Sequence, residues 1–255
     1  MNELMVAIPA YNEERSIGPC IMGIRENTPK DMTTFIVVID DGSTDRTAEI
    51  AKVAGADIII QHDSNHGVGM AIRTAVDYAV QVEAGIVCII DADMQFDSSE
   101  ITELIEPIKK SEADLVIGSR FLGSKNDGQI PIFNRVGNQL MALFVSLLIG
   151  KRIHDAESGY RAVSLNAARD LNIMGIGSFS HDMLLDLSHK GYTIAEVPVS
   201  VRYYNGRTSR VIGRFLKYGF KSLCIVFLKK ISLHWNMRFG RVKQTKARVI
   251  HTKPG

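Results

Sequence analysis

The chain has 255 residues, 45% hydrophobic and 23% charged. That length suits one large domain, or one domain with a small appendage, and the composition excludes a disordered or low-complexity chain. The net charge of +2 says little by itself, but residues 202–248 carry many Lys and Arg and almost no acid.

Short apolar runs alternate with helical patterns along the first 120 residues. Residues 4–10 (LMVAIPA) read as a strand, and 13–27 as a weak helix interrupted by Gly18 and Pro19. A second strand, 35–40 (FIVVID), is followed by a helix over 44–53 with Ser43 placed to cap its first turn. Then come a strand at 56–61, a helix at 67–82, a strand at 85–91, a helix at 98–110 and a strand at 113–120. These strands are continuously apolar, as expected for a parallel sheet covered on both faces. The alternation predicts βαβ units in a doubly wound α/β arrangement.

After Arg120 the rhythm changes. A polar loop over 123–129 precedes a helix over 133–149; a loop (HDAESGYRA, 154–162), a helix near 180–190 and a strand over 193–203 follow. Beyond Val211 the sequence reads as basic, apolar-faced helix and then a polar tail.

Three isolated cysteines, Cys20, Cys88 and Cys224, form no CxxC pair. They point to a reduced, cytoplasmic compartment. The opening MNELMVAIPA lacks the pattern of a signal peptide. The apolar runs at 141–149 and 223–228 are far short of the roughly 20 residues that a spanning helix needs.

In open parallel α/β sheets, ligands bind beyond the carboxyl ends of the strands. Four such ends carry polar groups here: Pro9, Tyr11, Asn12 and Glu13; Asp40 and Asp41; Asp91, Asp93 and Gln95; Ser119 and Arg120. Three or more acids on one rim repel each other unless a positive group sits among them. Asp91, Asp93 and Gln95 are spaced two apart and would share one side of an extended stretch. Oxygen-only ligands suit Mg²⁺ or Mn²⁺ with positions left open for phosphate oxygens. Asp41, beside Gly42, could accept hydrogen bonds from a uracil N–H or a ribose hydroxyl. Blander readings stand beside each motif. Asp-Gly-Ser is also a good turn and helix cap, a lone DxD recurs by chance, and Gly67-Val68-Gly69 reads as a helix start. The weight lies in the ordered conjunction.

That conjunction resembles glycosyltransferase family 2, whose GT-A-fold members use nucleotide-diphosphate sugars. IPAYNEE (8–14) is similar to its opening strand and nucleotide loop, VIDDGSTDRT (38–47) to its second motif, and DADMQ (91–95) to its metal motif. GSRF (118–121), DAESGYRA (155–162) and EVPVSVRY (196–203) match later landmarks, so the resemblance covers about residues 4–210. It is nearest to the dolichyl- and polyprenyl-phosphate sugar synthases, the dolichol-phosphate mannose synthase branch. It implies a GT-A (Rossmann-like), mostly parallel sheet with helices on both faces, followed by C-terminal amphipathic helices. The implied division is a catalytic domain over 1–210 and a basic amphipathic tail over 211–255.

The resemblance also implies roles. Pro9, Tyr11, Asn12, Glu13, Ile39, Asp41 and Asp91 would hold the nucleotide, and Asp91, Asp93 and Gln95 the Mg²⁺ or Mn²⁺. Arg120, Arg135, Arg202, Arg207 and Arg210 would face phosphates of donor or acceptor. Asp93, Arg120, Arg202 and Asp182 are the candidate catalytic residues. The mannose synthases usually show an Arg…Gly…Ser-Lys pattern after the EVP strand; here RYYNGRTSR (202–210) ends in Arg210. It looks more like members that use UDP-N-acetylglucosamine or UDP-glucose than those that use GDP-mannose. Members acting on hydroxyl acceptors carry Glu-Asp or QxxRW later in the chain. Here the region reads FSHDMLLDL (179–187), where Asp182 is either a general base or an acid favoured by the helix dipole.

The expected acceptor is an isoprenoid phosphate at a membrane surface, with the enzyme peripheral on the cytoplasmic face. In the tail, Phe215, Leu216, Phe220, Leu223, Phe227 and Leu228 recur near helical period among Lys217, Lys221, Lys229 and Lys230. A helix packed on the catalytic domain or covering a dimer seam has the same pattern. No nucleic-acid module accompanies the lysines, so nucleic acid is not the expected partner. The alternatives are a family 2 enzyme with a glycan hydroxyl acceptor, a nucleotidyltransferase, and a non-catalytic nucleotide-sugar binder.

Overall fold

The structure, a computed structural model, describes residues 3–123, 125, 130, 132–173, 179–202 and 246–252. Its centre is an eight-stranded sheet in the order β7-β5-β6-β4-β1-β2-β3-β8. The strands are β1 (Glu3–Ala10), β2 (Thr33–Asp40), β3 (Ile58–His62), β4 (Ile86–Ile89), β5 (Leu115–Ser119), β6 (Arg161–Ser164), β7 (Ile194–Pro198) and β8 (Ala247–His251). The parallel pairs are β1 with β2 and β4, β2 with β3, and β5 with β7; β6 and β8 run antiparallel to their neighbours.

The expected mostly parallel α/β sheet is present. Alternate residues of the buried strands feed two apolar clusters, as the twofold period of a strand requires. Met5, Ala7, Val37 and Ile39 pack with α3 (Val68–Gln81), α5 (Ile132–Ile149), α6 (Leu165–Asp170) and α7 (Phe179–His189). Leu4, Val6, Ile8 and Val38 pack with α1 (Ile17–Asn27), α2 (Thr47–Val53) and α4 (Ile101–Lys109).

Three elements depart from the sequence reading. The GYRA end of the loop at 154–162 enters β6, an antiparallel strand inserted between β4 and β5. Helix α6 follows β6 at once, with Ser164 Oγ accepting from the Ala167 N–H. The stretch read as polar tail returns as β8, paired with β3 from Ile58↔His251 to His62↔Ala247. The sheet therefore draws its last strand from the span set apart as a tail. The basic amphipathic segment between them, with Arg207 and Arg210, lies outside the described residues.

Candidate active site

Because β1, β2 and β4 are parallel and in register, Ala10, Asp40 and Ile89 bring the loops that follow them to one rim. β5 runs the same way, since β6 opposes both β4 and β5, so Arg120 leaves on that rim too. An open cleft of about 300 Å³ lies there, lined by Pro9, Tyr11, Glu13, Asp41, Asp91 and Asp93 together with Asn65, Gly67 and Val68.

The two adjacent acids divide the work. Asp40 Oδ1 accepts from the Ser43 N–H at 3.0 Å and Oδ2 from Gln61 Nε2 at 3.0 Å, so Asp40 closes its own turn. Asp41 reaches the next loop. Its Oδ1 pairs with His62 Nδ1 at 2.7 Å and accepts the His66 N–H at 3.1 Å; its Oδ2 accepts the Gly67 N–H at 2.7 Å. His62 is held in turn by Thr74 Oγ1 at 2.9 Å from Nε2. The turn between needs Gly42, whose φ is +71° and whose added Cβ would stand 2.4 Å from the Ser64 carbonyl carbon.

Asn12, also in the left-handed region at φ 55°, ties β1 to this turn. Its side-chain oxygen accepts the Thr44 N–H at 2.8 Å, and its own N–H donates to Ser43 Oγ at 3.0 Å. Ser43 thus serves Asn12 rather than capping α2. That helix starts three residues later than expected, with Asp45 Oδ1 accepting from the Thr47 N–H.

The Asp-Ala-Asp segment is not extended. β4 ends at Ile89, and Met94 takes φ 60°, so the alternation argument fails there. What aligns the segment is Gln95, whose N–H donates to Asp93 Oδ1 at 3.0 Å and whose Nε2 donates to Oδ2 at 2.7 Å. Asp91 is half-buried. Burial first, then the charges of Asp93 and Glu13, push its carboxyl up to about 7 against the opposing pull of Arg120. Gly159 presses close: a Cβ there would stand 2.5 Å from Asp91 Oδ2.

These observations bear on a divalent cation. Among the described residues no group of three or more His, Cys, Asp or Glu side chains is arranged to hold a metal. The set is instead two mutually repelling carboxylates, oxygen-only, backed by a residue without a side chain. That fits a hard cation completed by a ligand's phosphate oxygens.

Arg120 donates from Nε to Asp155 Oδ2 at 2.7 Å and from Nη2 to Oδ1 at 2.8 Å. Asp155 is fully buried. Burial pushes its pKa up, but the charge and hydrogen bonds of Arg120 outweigh that and hold it below the usual carboxylate value. Glu196 accepts the His154 N–H at 2.9 Å and the Asp155 N–H at 3.0 Å, fixing the loop. Arg161, also fully buried, donates to the carbonyls of Ser158, Ser180 and Ala156 at 2.8, 2.7 and 2.9 Å. Burial lowers its pKa to about 10. Sequence reasoning assigned no role to Asp155, Arg161, Glu196, His62 or Gly159.

The remaining candidates are dispersed. Ile39 is fully buried in the core, and Asp182 is buried in α7; neither lines the cleft. Arg135 sits half-buried on α5. Arg202 joins the DADMQ loop: its N–H donates to the Gln95 carbonyl at 2.8 Å and Nη2 to Asp97 Oδ2 at 2.7 Å.

Known proteins carry related sequences and the same fold. The chain is 32% identical over 207 residues to a dolichyl-phosphate hexose transferase of Haloferax volcanii, covering 81% of this chain and 86% of the relative. It is 29% identical over 238 residues to a UDP-N-acetylglucosamine–dolichyl-phosphate N-acetylglucosaminyltransferase of Methanococcus voltae, covering 86% and 92%. Glucosyl-3-phosphoglycerate synthase of Mycobacterium tuberculosis, solved with Mn²⁺, UDP and phosphoglyceric acid, superposes with a TM-score of 0.69 at 21% identity, covering 90% and 78%. The model of glycosyl transferase family 2 matches residues 5–169, which include every residue lining the cleft, and the chain belongs to that family.

Proposed function

We propose that the protein transfers a hexose or N-acetylhexosamine from a nucleoside-diphosphate sugar to the phosphate of a polyprenyl lipid, inverting the anomeric centre. UDP-N-acetylglucosamine or UDP-glucose is favoured over GDP-mannose as donor. The observation that carries the reading is the meeting of Asp91, Asp93, Asp41 and Tyr11 around one open cleft, with Arg120 electrostatically coupled to Asp91. The relatives from Haloferax and Methanococcus, named for transfer to dolichyl phosphate, support the acceptor class.

An acceptor phosphate oxygen attacks the anomeric carbon as the bond from that carbon to the donor's β-phosphate oxygen breaks. The electron pair leaves with the nucleoside diphosphate. A phosphate monoester is already anionic at pH 7, so no side chain must remove a proton. Buried Asp182, away from the cleft lining, fits that absence better than a general-base role. Pro9 and the Tyr11 ring, 45% exposed, offer a wall for the nucleoside. Asp91 and Asp93 would hold Mg²⁺ or Mn²⁺, with Gln95 fixing the Asp93 carboxylate. Such an ion supplies positive charge to the departing diphosphate. Asp155 keeps the Arg120 guanidinium oriented beside the same rim, adding a second positive charge.

No helix among the described residues is long and apolar enough to cross a membrane. A peripheral position on the cytoplasmic face, with the basic segment after residue 210 at the lipid interface, completes the proposal. The test is incubation with each labelled donor, Mn²⁺ and polyprenyl phosphate in vesicles. Label is expected in an acid-labile lipid phosphate. Label appearing only in a glycan, or only as free sugar, overturns the reading.

A further inference from the structure

We infer that the outward face of α5 is a docking surface for an anionic lipid bilayer; this rests on the proposed lipid acceptor and names a surface that brings the cleft to it. Val136, Leu140, Leu143 and Leu147 are 47%, 63%, 58% and 73% exposed. At about 100° per residue these four side chains fall within an arc of about 60°. The opposite side of the helix supplies Asn138, Met141, Ala142 and Val145 to the interior. Four large aliphatic side chains at i, i+4, i+7 and i+11 make a core-type stripe, here turned to solvent.

The charges along this segment have one sign. Between Ile130 and His154 the only charged residues are Arg135, Lys151 and Arg152. A groove of about 700 Å³ adjoins the stripe, lined by Leu143, Leu147, Lys151, Arg152 and, at its other side, Phe121. Phe121 follows Arg120, so apolar and basic surface continues from the stripe to the rim of the cleft.

Charge selects the occupant. A second copy laid face to face would set Lys151 and Arg152 against the same two residues, and the 130–154 segment brings no acid to offset them. The chain's own residues 203–245 carry lysines and arginines and no Asp or Glu, so they meet the same repulsion. An anionic bilayer satisfies both the apolar stripe and the basic collar.

The experiment uses the full chain with vesicles of phosphatidylcholine, with and without phosphatidylglycerol. The triple variant Leu140→Glu/Leu143→Glu/Leu147→Glu should lose about tenfold or more of its binding to the anionic vesicles. Leu147→Gln, a single change at the most exposed position, should lose a few fold, and covers the case of a triple variant that does not fold. Transfer to polyprenyl phosphate embedded in vesicles should drop in parallel, and transfer to a water-soluble short-chain isoprenyl phosphate should not. Unchanged vesicle binding by the folded variants overturns the inference. So does a wild-type dimer that the triple variant dissolves without losing vesicle binding. Absence of transfer to either acceptor by the wild type speaks against the proposed reaction alone, since vesicle binding is read without turnover.

Discussion

The two sides of the cleft are held in place by different physics. On the side built from β1 and β2, Asn12, Asp40 and Asp41 are fixed largely by backbone N–H groups of neighbouring loops. On the side built from β5, β6 and β7, buried charges do the fixing: Asp155 on Arg120, Glu196 on the 154–155 backbone, Arg161 on three carbonyls. A hydrogen bond between neutral groups, such as that of Asn12 with the Thr44 N–H, contributes about 0.5–1.5 kcal/mol, and one to a carboxylate such as Asp41 about 1.5–3 kcal/mol. A buried ion pair that loses one partner leaves an uncompensated charge and fails by several kcal/mol. Deleting a neutral side chain such as that of Thr44 should therefore cost the first side little, and deleting a buried charge such as that of Asp155 should cost the second side much.

The largest effect belongs to the segment between the two sides. Asp93→Ala removes one of the paired carboxylates and should cost about 3–4 kcal/mol of barrier, or 10²–10³-fold in turnover. Its melting temperature should change little, because removing Asp93 also relieves its repulsion of Asp91. A rate within tenfold of wild type would remove Asp93 from the chemistry. Next comes Asp155→Asn, which leaves the Arg120 guanidinium without its anionic partner and should destabilise the protein by about 3 kcal/mol in denaturant unfolding. Thr44→Ala, its counterpart on the first side, trims a side chain bonded to exposed Asn12 and should cost under about 1 kcal/mol. Equal losses in the two variants would erase the distinction.

The same contrast explains what the sequence disclosed. The first side is made of local signals: apolar runs end in Pro-Ala-Tyr-Asn or Asp-Asp-Gly-Ser, and the turn residues sit where the ligand groups sit. Those runs predicted β1 to β5 and the rim they share. The second side depends on partners far apart in sequence. Nothing near Asp155 announces Arg120, 35 residues earlier, or Glu196, 41 residues later. β6 is four residues long and reads as the end of a loop until β4 and β5 flank it. β8 pairs with a strand far back in the chain, His251 opposite Ile58. Ser164, three residues before Ala167, is a local capping signal for α6. The extended DADMQ failed for a different reason, since a left-handed Met94 has no signature in composition.

Two glycines probe the two sides at closer range. Gly42→Ala places a Cβ against the Ser64 backbone at a positive φ, and backbone cannot rotate away, so a loss of about 2 kcal/mol or more in stability is expected. Gly159→Ala meets the Asp91 carboxylate, a side chain that can swing aside at little cost to the fold. Its effect should fall on turnover and on Mn²⁺ affinity, by about tenfold, with less than about 1 kcal/mol of stability lost. If Gly159→Ala unfolds the protein while keeping its specific activity, Gly159 is a packing residue and not part of the cradle.

A pH dependence is also expected on the second side. His181 is buried beside the Arg161 cluster, and its Nε2 has no hydrogen-bond partner among the described residues. Burial first, and then the positive charge of Arg161, lower its pKa from 6.5 to about 4. The unfolded chain therefore binds a proton near pH 6.5 that the folded chain refuses until about pH 4. The stability that the neutral ring contributes is complete above pH 6.5 and is lost as pH falls toward 4. Relaxation of the site should limit the loss to about 1–2 kcal/mol. Melting temperatures across pH 7 to 4.5 should fall more steeply for wild type than for His181→Leu, whose unfolded state takes up no such proton. Parallel curves for the two proteins would mean that water or a shifted Arg161 already accommodates the imidazolium, and the second side would then be less dependent on buried charge than its hydrogen bonds suggest.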